Sequence, residues 1–140
     1  MKVVVGVTDD LAACHALRRA VFMEEQGVSE TDEMDDLDTG AIHLLAHADG
    51  VPAGTARILL DPPLAKIGRV AVAQDRRGLG IGRRVMEAAV TVLAARGDIE
   101  TIGLGAQIHA LDFYAGCGFA AQGPVYLDAG IPHRWMTRRL

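Results

Sequence analysis

Residues 70–84 read VAVAQDRRGLGIGRR, and this stretch decides the fold. It predicts a hydrophobic strand, a short loop with glycine at every second position, and the first turn of a helix. Gly78, Gly80 and Gly82 leave the backbone open to a ligand and permit positive φ values. The first amides of a helix have no partner inside it and carry partial positive charge, so they favour an anion. The same site is flanked by four arginines, Arg76, Arg77, Arg83 and Arg84. The stretch therefore predicts a pocket for a pyrophosphate.

Two other kinds of phosphate loop do not fit this stretch. A P-loop requires Gly-Lys-Ser/Thr, but Gly82 is followed by two arginines. The dinucleotide pattern G-x-G-x-x-G would require a glycine at position 83, which is Arg83. A nucleoside-triphosphate binder is therefore disfavoured.

The glycine loop instead matches a third signature. Arg77, Gly80 and Gly82 stand at the fixed positions of the hexapeptide Q/R-x-x-G-x-G/A, which is typical of the GNAT acetyltransferases. Downstream, FYAGCGF at 113–119 resembles the F-Y-x-x-x-G-F segment of the same family. A glycine-rich turn with solvated arginines would explain the loop alone, but it would not explain the second segment.

Two more segments narrow the resemblance to a branch of that family. RRAVFMEEQ at 18–26 and LDAGIPH at 127–133 are similar to segments of the YjcF-like and ElaA-like bacterial proteins. The resemblance covers nearly the whole chain and implies one α/β (α+β) GNAT domain over residues 1–140. Its mixed central sheet would have about six to seven strands, with a splayed parallel fourth and fifth strand, flanked by about four helices.

Hydrophobic periodicity and turn residues predict the order of the elements along the chain. The predicted elements are a strand at 3–7, a helix from Leu11 capped by Thr8 or Asp9, an antiparallel hairpin of 42–48 and 51–60 around Asp49-Gly50, a central strand at 66–72, a helix at 81–96 ended by Gly97, a buried strand at 101–106 parallel to the central one, a short helix at 109–114, and strands at 119–127 and 133–138.

The resemblance implies which residues hold coenzyme A. The pantetheine arm would lie along the strand before the loop, the pyrophosphate would sit on the loop, and a backbone amide near Val72 would polarise the acetyl carbonyl. The coenzyme-binding residues would be Val70, Ala71, Val72, Arg76, Arg77, Gly78, Leu79, Gly80, Ile81, Gly82, Arg83, Gln107 and Tyr114.

Acetyl transfer also needs an acid for the leaving thiolate and a base for the acceptor ammonium. By its match to the family tyrosine, Tyr114 is the candidate acid; a core aromatic is the alternative. The base is Glu25, Glu24 or His109, acting directly or through water, and the sequence leaves the choice open. Glu24, Glu25 and Gln26 are candidates for contact with the acceptor, or they simply end an exposed helix. His43, His47 and His133 lack any ligand spacing and are assigned no chemistry.

The charge is segregated along the chain, which has a net charge of -4. Eight carboxylates and no lysine or arginine lie between Glu24 and Asp38, whereas seven basic residues lie between Arg57 and Arg84. The acidic segment is expected either to be solvated or to attract a cationic amine. It lacks the order of a calcium loop, so no metal is expected. Because the total charge is acidic, nucleic-acid binding has no support.

Cys14 and Cys117 lack the spacing of a metal or redox site, which favours a reducing compartment. The apolar run at 3–5 is stopped by Gly6 and Asp9 before a signal-peptide core forms. No stretch approaches the ~20 apolar residues of a membrane span. A cytoplasmic protein is expected, and a homodimer through the C-terminal strands is common in the family.

The resulting hypothesis is an acetyl-CoA-dependent N-acetyltransferase that acts on a small primary amine or a lysine side chain. The alternative is a non-catalytic acyl-CoA-binding sensor or regulatory module.

Overall fold

A computed structural model describes residues 1–140 and shows one seven-stranded sheet in the order β1-β2-β3-β4-β5-β7-β6. The elements are β1 (Val3–Thr8), α1 (Leu11–Arg18), a π-helix (Arg19–Glu25), α2 (Glu30–Glu33), β2 (Ile42–Ala48), β3 (Val51–Asp61), β4 (Leu64–Val72), a 3₁₀ turn (Gln74–Arg76), α3 (Ile81–Arg96), β5 (Thr101–Gln107), a 3₁₀ turn (Ile108–Ala110), α4 (Leu111–Gly116), β6 (Ala120–Asp128) and β7 (Ile131–Arg139). The predicted mixed sheet with four flanking α-helices is confirmed.

Local turn chemistry decides where several elements begin and end. Asp49 and Gly50 both have positive φ, 50° and 81°, which is the geometry of a tight two-residue hairpin between β2 and β3. Gly97 ends α3 in the left-handed conformation, as predicted. The predicted cap of α1 is wrong by one or two residues: the Asp10 carboxylate, not Thr8 or Asp9, accepts from the Ala13 amide at 3.1 Å.

The parallel strands β4 and β5 pair only at their beginnings. The ladder runs from Leu64 opposite Thr101 to Lys66 opposite Gly103, and it stops there. On its other side, β4 pairs with β3 but changes register near Arg69, whose φ of 52° marks a bulge. The strands therefore part after Lys66, and the predicted splay is confirmed.

Helices cover both faces of the sheet. α3 buries Ile81, Val85 and Leu93 against one face, in a main core of 19 buried residues. α1 lies on the other face, where Cys14 and Leu17 pack against Leu45 of β2. The gap between β4 and β5 consequently opens towards both helical layers. None of the helices combines the length and the apolar composition that crossing a membrane requires.

Candidate functional site

The glycine loop lies at the end of β4 and leads directly into α3. Gly78 and Gly80 have φ values of +76° and +80°, and a Cβ atom at either would meet no atom of the chain within 4 Å. The first α3 amide that donates to a preceding carbonyl is that of Arg84, which bonds to Gly80 at 3.1 Å. The amides of residues 81–83 therefore have no partner in the chain and border open space, which fits an anion.

Gly82 is required for a different reason from the one predicted. It is helical, and a Cβ there would lie 3.2 Å from Cζ of Phe113 and 3.5 Å from a Val72 methyl carbon. Its role is thus close packing of α3 against α4, not opening the backbone to a ligand.

The four arginines around the loop have different partners. Arg77 places both terminal nitrogens 2.8 Å from the two carboxylate oxygens of Glu25, and its Nε donates to the carbonyl of Val72 at 3.1 Å. Arg84 donates to the carbonyl of Val3 and ties α3 to β1. The other two are Arg76, with no polar side-chain partner, and Arg83, in an exposed pair with Glu87. Three of the four arginines therefore have a polar partner, and only the Arg76 side chain has none.

The backbone of Val70, Ala71 and Val72 borders the gap. Ala71 and Val72 pair with β3 on one side, but no residue of β5 pairs with these three on the other. The side chains of Val70 and Val72 pack against the main core, and Ala71 is buried. Their peptide groups thus present to the gap an edge that no strand pairs with, where the Val72 carbonyl accepts from Nε of Arg77.

Tyr114 lies on α4 among aromatic side chains. Its ring meets Phe113 edge-on at a centroid distance of 5.0 Å and Phe119 at 6.5 Å. The hydroxyl makes no hydrogen bond within the chain. Burial, with a smaller contribution from Cys117, raises the pKa of Tyr114 well above its usual range. The phenol therefore stays protonated and can donate a hydrogen bond.

A row of hydrogen-bonded polar side chains connects the end of the π-helix with the end of β5. Gln26 and Gln107 pair through their side-chain amides, with N···O distances of 2.9 and 3.4 Å. Nε2 of the exposed His109 lies 2.7 Å from Oε1 of Gln107. Because an amide oxygen only accepts, His109 donates through Nε2, and its Nδ1 is left to accept.

The candidate acceptor residues Glu24 and Glu25 line a groove of about 620 Å³ between α1 and the end of β4. Glu25 uses both carboxylate oxygens for Arg77. It is therefore a poor candidate for the base while that pair is formed. Glu24 is exposed and has no such partner.

The acidic segment is not simply solvated, because several of its carboxylates are held in ion pairs. Glu33 pairs with the buried Arg18 at 2.5 Å, and Asp38 pairs with the same guanidinium at 2.8 Å. Asp35 binds Arg57 in a bidentate pair at 2.6 and 2.9 Å. The pairs with Arg18 thus fasten this segment to α1, and the pairs of Arg57 with Asp35 and Asp38 fasten it to β3. The sequence analysis missed these arginines, because nothing in their local pattern distinguishes a buried guanidinium from an exposed one.

Known proteins resemble this chain over nearly its full length. A family model described as the acetyltransferase (GNAT) domain matches residues 12–140. The N-acetyltransferase YjcF of Bacillus subtilis is 31% identical, and the match covers 99% of each chain. ElaA of Escherichia coli is 35% identical over 93% of this chain and 88% of its own. The crystal structure of an acyl-CoA N-acyltransferase from Pseudomonas aeruginosa superimposes with a TM-score of 0.83 at 34% identity, covering 98% of each chain.

Proposed function

The chain belongs to the GNAT acetyltransferase family, and on that premise we propose that it transfers an acetyl group from acetyl-CoA to a primary amine by direct attack in a ternary complex. One observation carries the proposal. A glycine loop with unpartnered amides opens beside two parallel strands that part after three paired residues. A diphosphate fits the loop, and a narrow arm fits the parted strands.

The loop and strand hold the donor. The amides of Ile81, Gly82 and Arg83 bind the diphosphate, and the free cation of Arg76 adds charge beside it. The unpaired edge at 70–72 binds the pantetheine arm through peptide hydrogen bonds, and an amide near Val72 polarises the acetyl carbonyl. Gln107, at the end of the opposite strand, lies on the other side of the arm.

Tyr114 donates its proton to the departing sulfur. Its hydroxyl is free of other partners and stays protonated because burial raises its pKa. General acid catalysis of this kind is worth about 10²- to 10⁴-fold in rate. The acceptor lies towards α1, where Glu24 and Gln26 contact it, and it is a small amine or a lysine side chain.

The test is release of free thiol from acetyl-CoA, followed over a panel of primary amines. Acceptor-dependent release is expected with at least one amine, and Tyr114→Phe is expected to lower kcat by about 100-fold or more while CoA affinity is kept. If the protein binds CoA tightly but no amine accelerates release, and Tyr114→Phe changes nothing, the protein is a sensor and the proposal is wrong.

A further inference from the structure

His133 is a mostly buried histidine to which the sequence analysis gave no chemistry. It lies on β7 and is 8% exposed. Its Nδ1 lies 2.6 Å from the carbonyl oxygen of Ile131. Because a carbonyl only accepts, Nδ1 carries the hydrogen, and the neutral ring keeps a lone pair on Nε2. Nε2 has no partner in the chain and is not among the solvent-excluded polar atoms, so this lone pair is accessible.

The ring lies over the part of β5 that borders the gap. β7 runs beside β5 with His133 opposite Gln107. A Cβ at Gly105 would be 3.9 Å from Cδ2 of His133, so the imidazole covers this glycine. Gly105 and Gln107 both follow Gly103, the last β5 residue that pairs with β4. His133 therefore stands where the strands have parted, on the face opposite α3.

The side chain of Tyr126 packs against one face of the His133 ring. Its ring stacks on the imidazole at a centroid distance of 5.8 Å and an angle of 23°. Its hydroxyl reaches across β7 to within 2.4 Å of where a Cβ of Gly105 would be, which explains why residue 105 is glycine. The imidazole thus has one covered face, a tautomer set by the backbone, and one free nitrogen.

No lysine or arginine side chain faces the ring of His133, so none opposes its protonation. From β5 the groups that face it are Gly105 and the neutral Gln107, and from β6 the phenol of Tyr126, whose pKa burial and then Asp128 raise. The 3₁₀ turn Ile108–Ala110, which carries the titratable His109, also packs against β7. Arg134, the next residue, alternates to the other face of β7 and donates to the carbonyl of Gly123.

We propose that Nε2 of His133 is the general base of the transfer, an inference that rests on the proposed function. Glu25 is engaged by Arg77. The imidazole of His109 is oriented by Gln107 but exposed, whereas the imidazole of His133 is oriented by the backbone and mostly buried. Nε2 takes one proton from the acceptor ammonium. The amine nitrogen then bonds to the acetyl carbon as the carbon–sulfur bond breaks. Tyr114 gives its proton to sulfur and is reprotonated by the second proton from nitrogen, while His133 releases the first to solvent.

The experiment compares His133→Asn with His109→Asn in the thiol-release assay. The asparagine at 133 keeps an N–H donor for Ile131 but has no base. His133→Asn is expected to lower kcat by about 100-fold or more with unchanged CoA affinity. It should also abolish the limb of the kcat/KM profile that a histidine produces between about pH 5 and 8. His109→Asn should keep that limb.

Wild-type kcat and an unchanged pH limb in His133→Asn would overturn the assignment and leave the proposed function standing. Absence of turnover in the wild-type protein with every amine would overturn both. Should the asparagine variant not fold, His133→Ala with added imidazole takes its place. Restored turnover would support His133, and full turnover without imidazole would refute it.

Discussion

Gly80 and Gly97 offer a matched test of whether the glycine loop binds the diphosphate. They stand at the two ends of α3 with φ values of +80° and +78°, and neither has an atom within 4 Å of an added Cβ. Alanine at either position is therefore expected to cost the same backbone strain, about 1–2 kcal/mol. For a chain of this size that lowers the thermal midpoint by about 3–7 °C.

CoA affinity should separate the two variants. At Gly80 the added methyl group enters the space beside the unpartnered amides, whereas at Gly97 it enters solvent at the far end of the helix. Losing one charge-assisted hydrogen bond to the diphosphate costs about 1.5–3 kcal/mol, so Gly80→Ala should raise the Kd by about 10- to 150-fold. Gly97→Ala should leave the Kd unchanged.

Isothermal titration with CoA and thermal unfolding followed by circular dichroism would be run on the same preparations. If both variants lose stability equally and both keep wild-type affinity, the loop is not the diphosphate site. If Gly97→Ala weakens CoA binding as much as Gly80→Ala does, the loss of affinity comes from a less stable helix. The inference that the loop binds the diphosphate then fails.

Three other perturbations test the ion pairs. Arg18→Met removes the hydrogen-bonded partner of the buried Glu33, leaving only Nε of Arg69 at 3.7 Å, and should lower the free energy of unfolding by about 3–5 kcal/mol in a urea titration; a loss below 1 kcal/mol would contradict a buried pair. Although burial alone would raise the pKa of Asp38, hydrogen bonds from Arg18 hold it well below its usual range. This stabilisation is complete above the unfolded pKa of about 3.9 and is lost as pH falls towards the folded value, so Asp38→Asn should flatten the decline in stability below about pH 5. Glu25→Gln releases Arg77 and should tighten CoA binding by up to about fivefold, since a partly exposed pair is worth about 0.2–1 kcal/mol; equal tightening in an Arg77→Ala background would show that the pair is not the cause.

Features that depend on a few neighbouring residues could be predicted from the sequence. The hairpin at Asp49-Gly50 and the end of α3 at Gly97 follow from positive φ values that few residues tolerate. The glycine loop, the order of strands and helices, and the parting of β4 from β5 came from short motifs and the resemblance they carry. The cap of α1 was placed one or two residues too early because several polar residues compete there, and only Asp10 reaches Ala13.

Ion pairs and contacts between residues far apart in the sequence could not be predicted. Glu25 pairs with Arg77, which lies 52 residues further along the chain. Glu33, in the acidic segment, pairs with Arg18 of α1. His133 gains its place at the gap because β7 inserts between β5 and β6.

The sequence by itself predicted the strands, the other helices and the glycine loop, but not α2 or the π-helix, since backbone preference and helix-end chemistry act over a few residues. Only the tertiary structure decided which charges are buried, which arginine is free and which histidine borders the gap. Those outcomes depend on strand order and register, which bring together side chains that no local spacing relates.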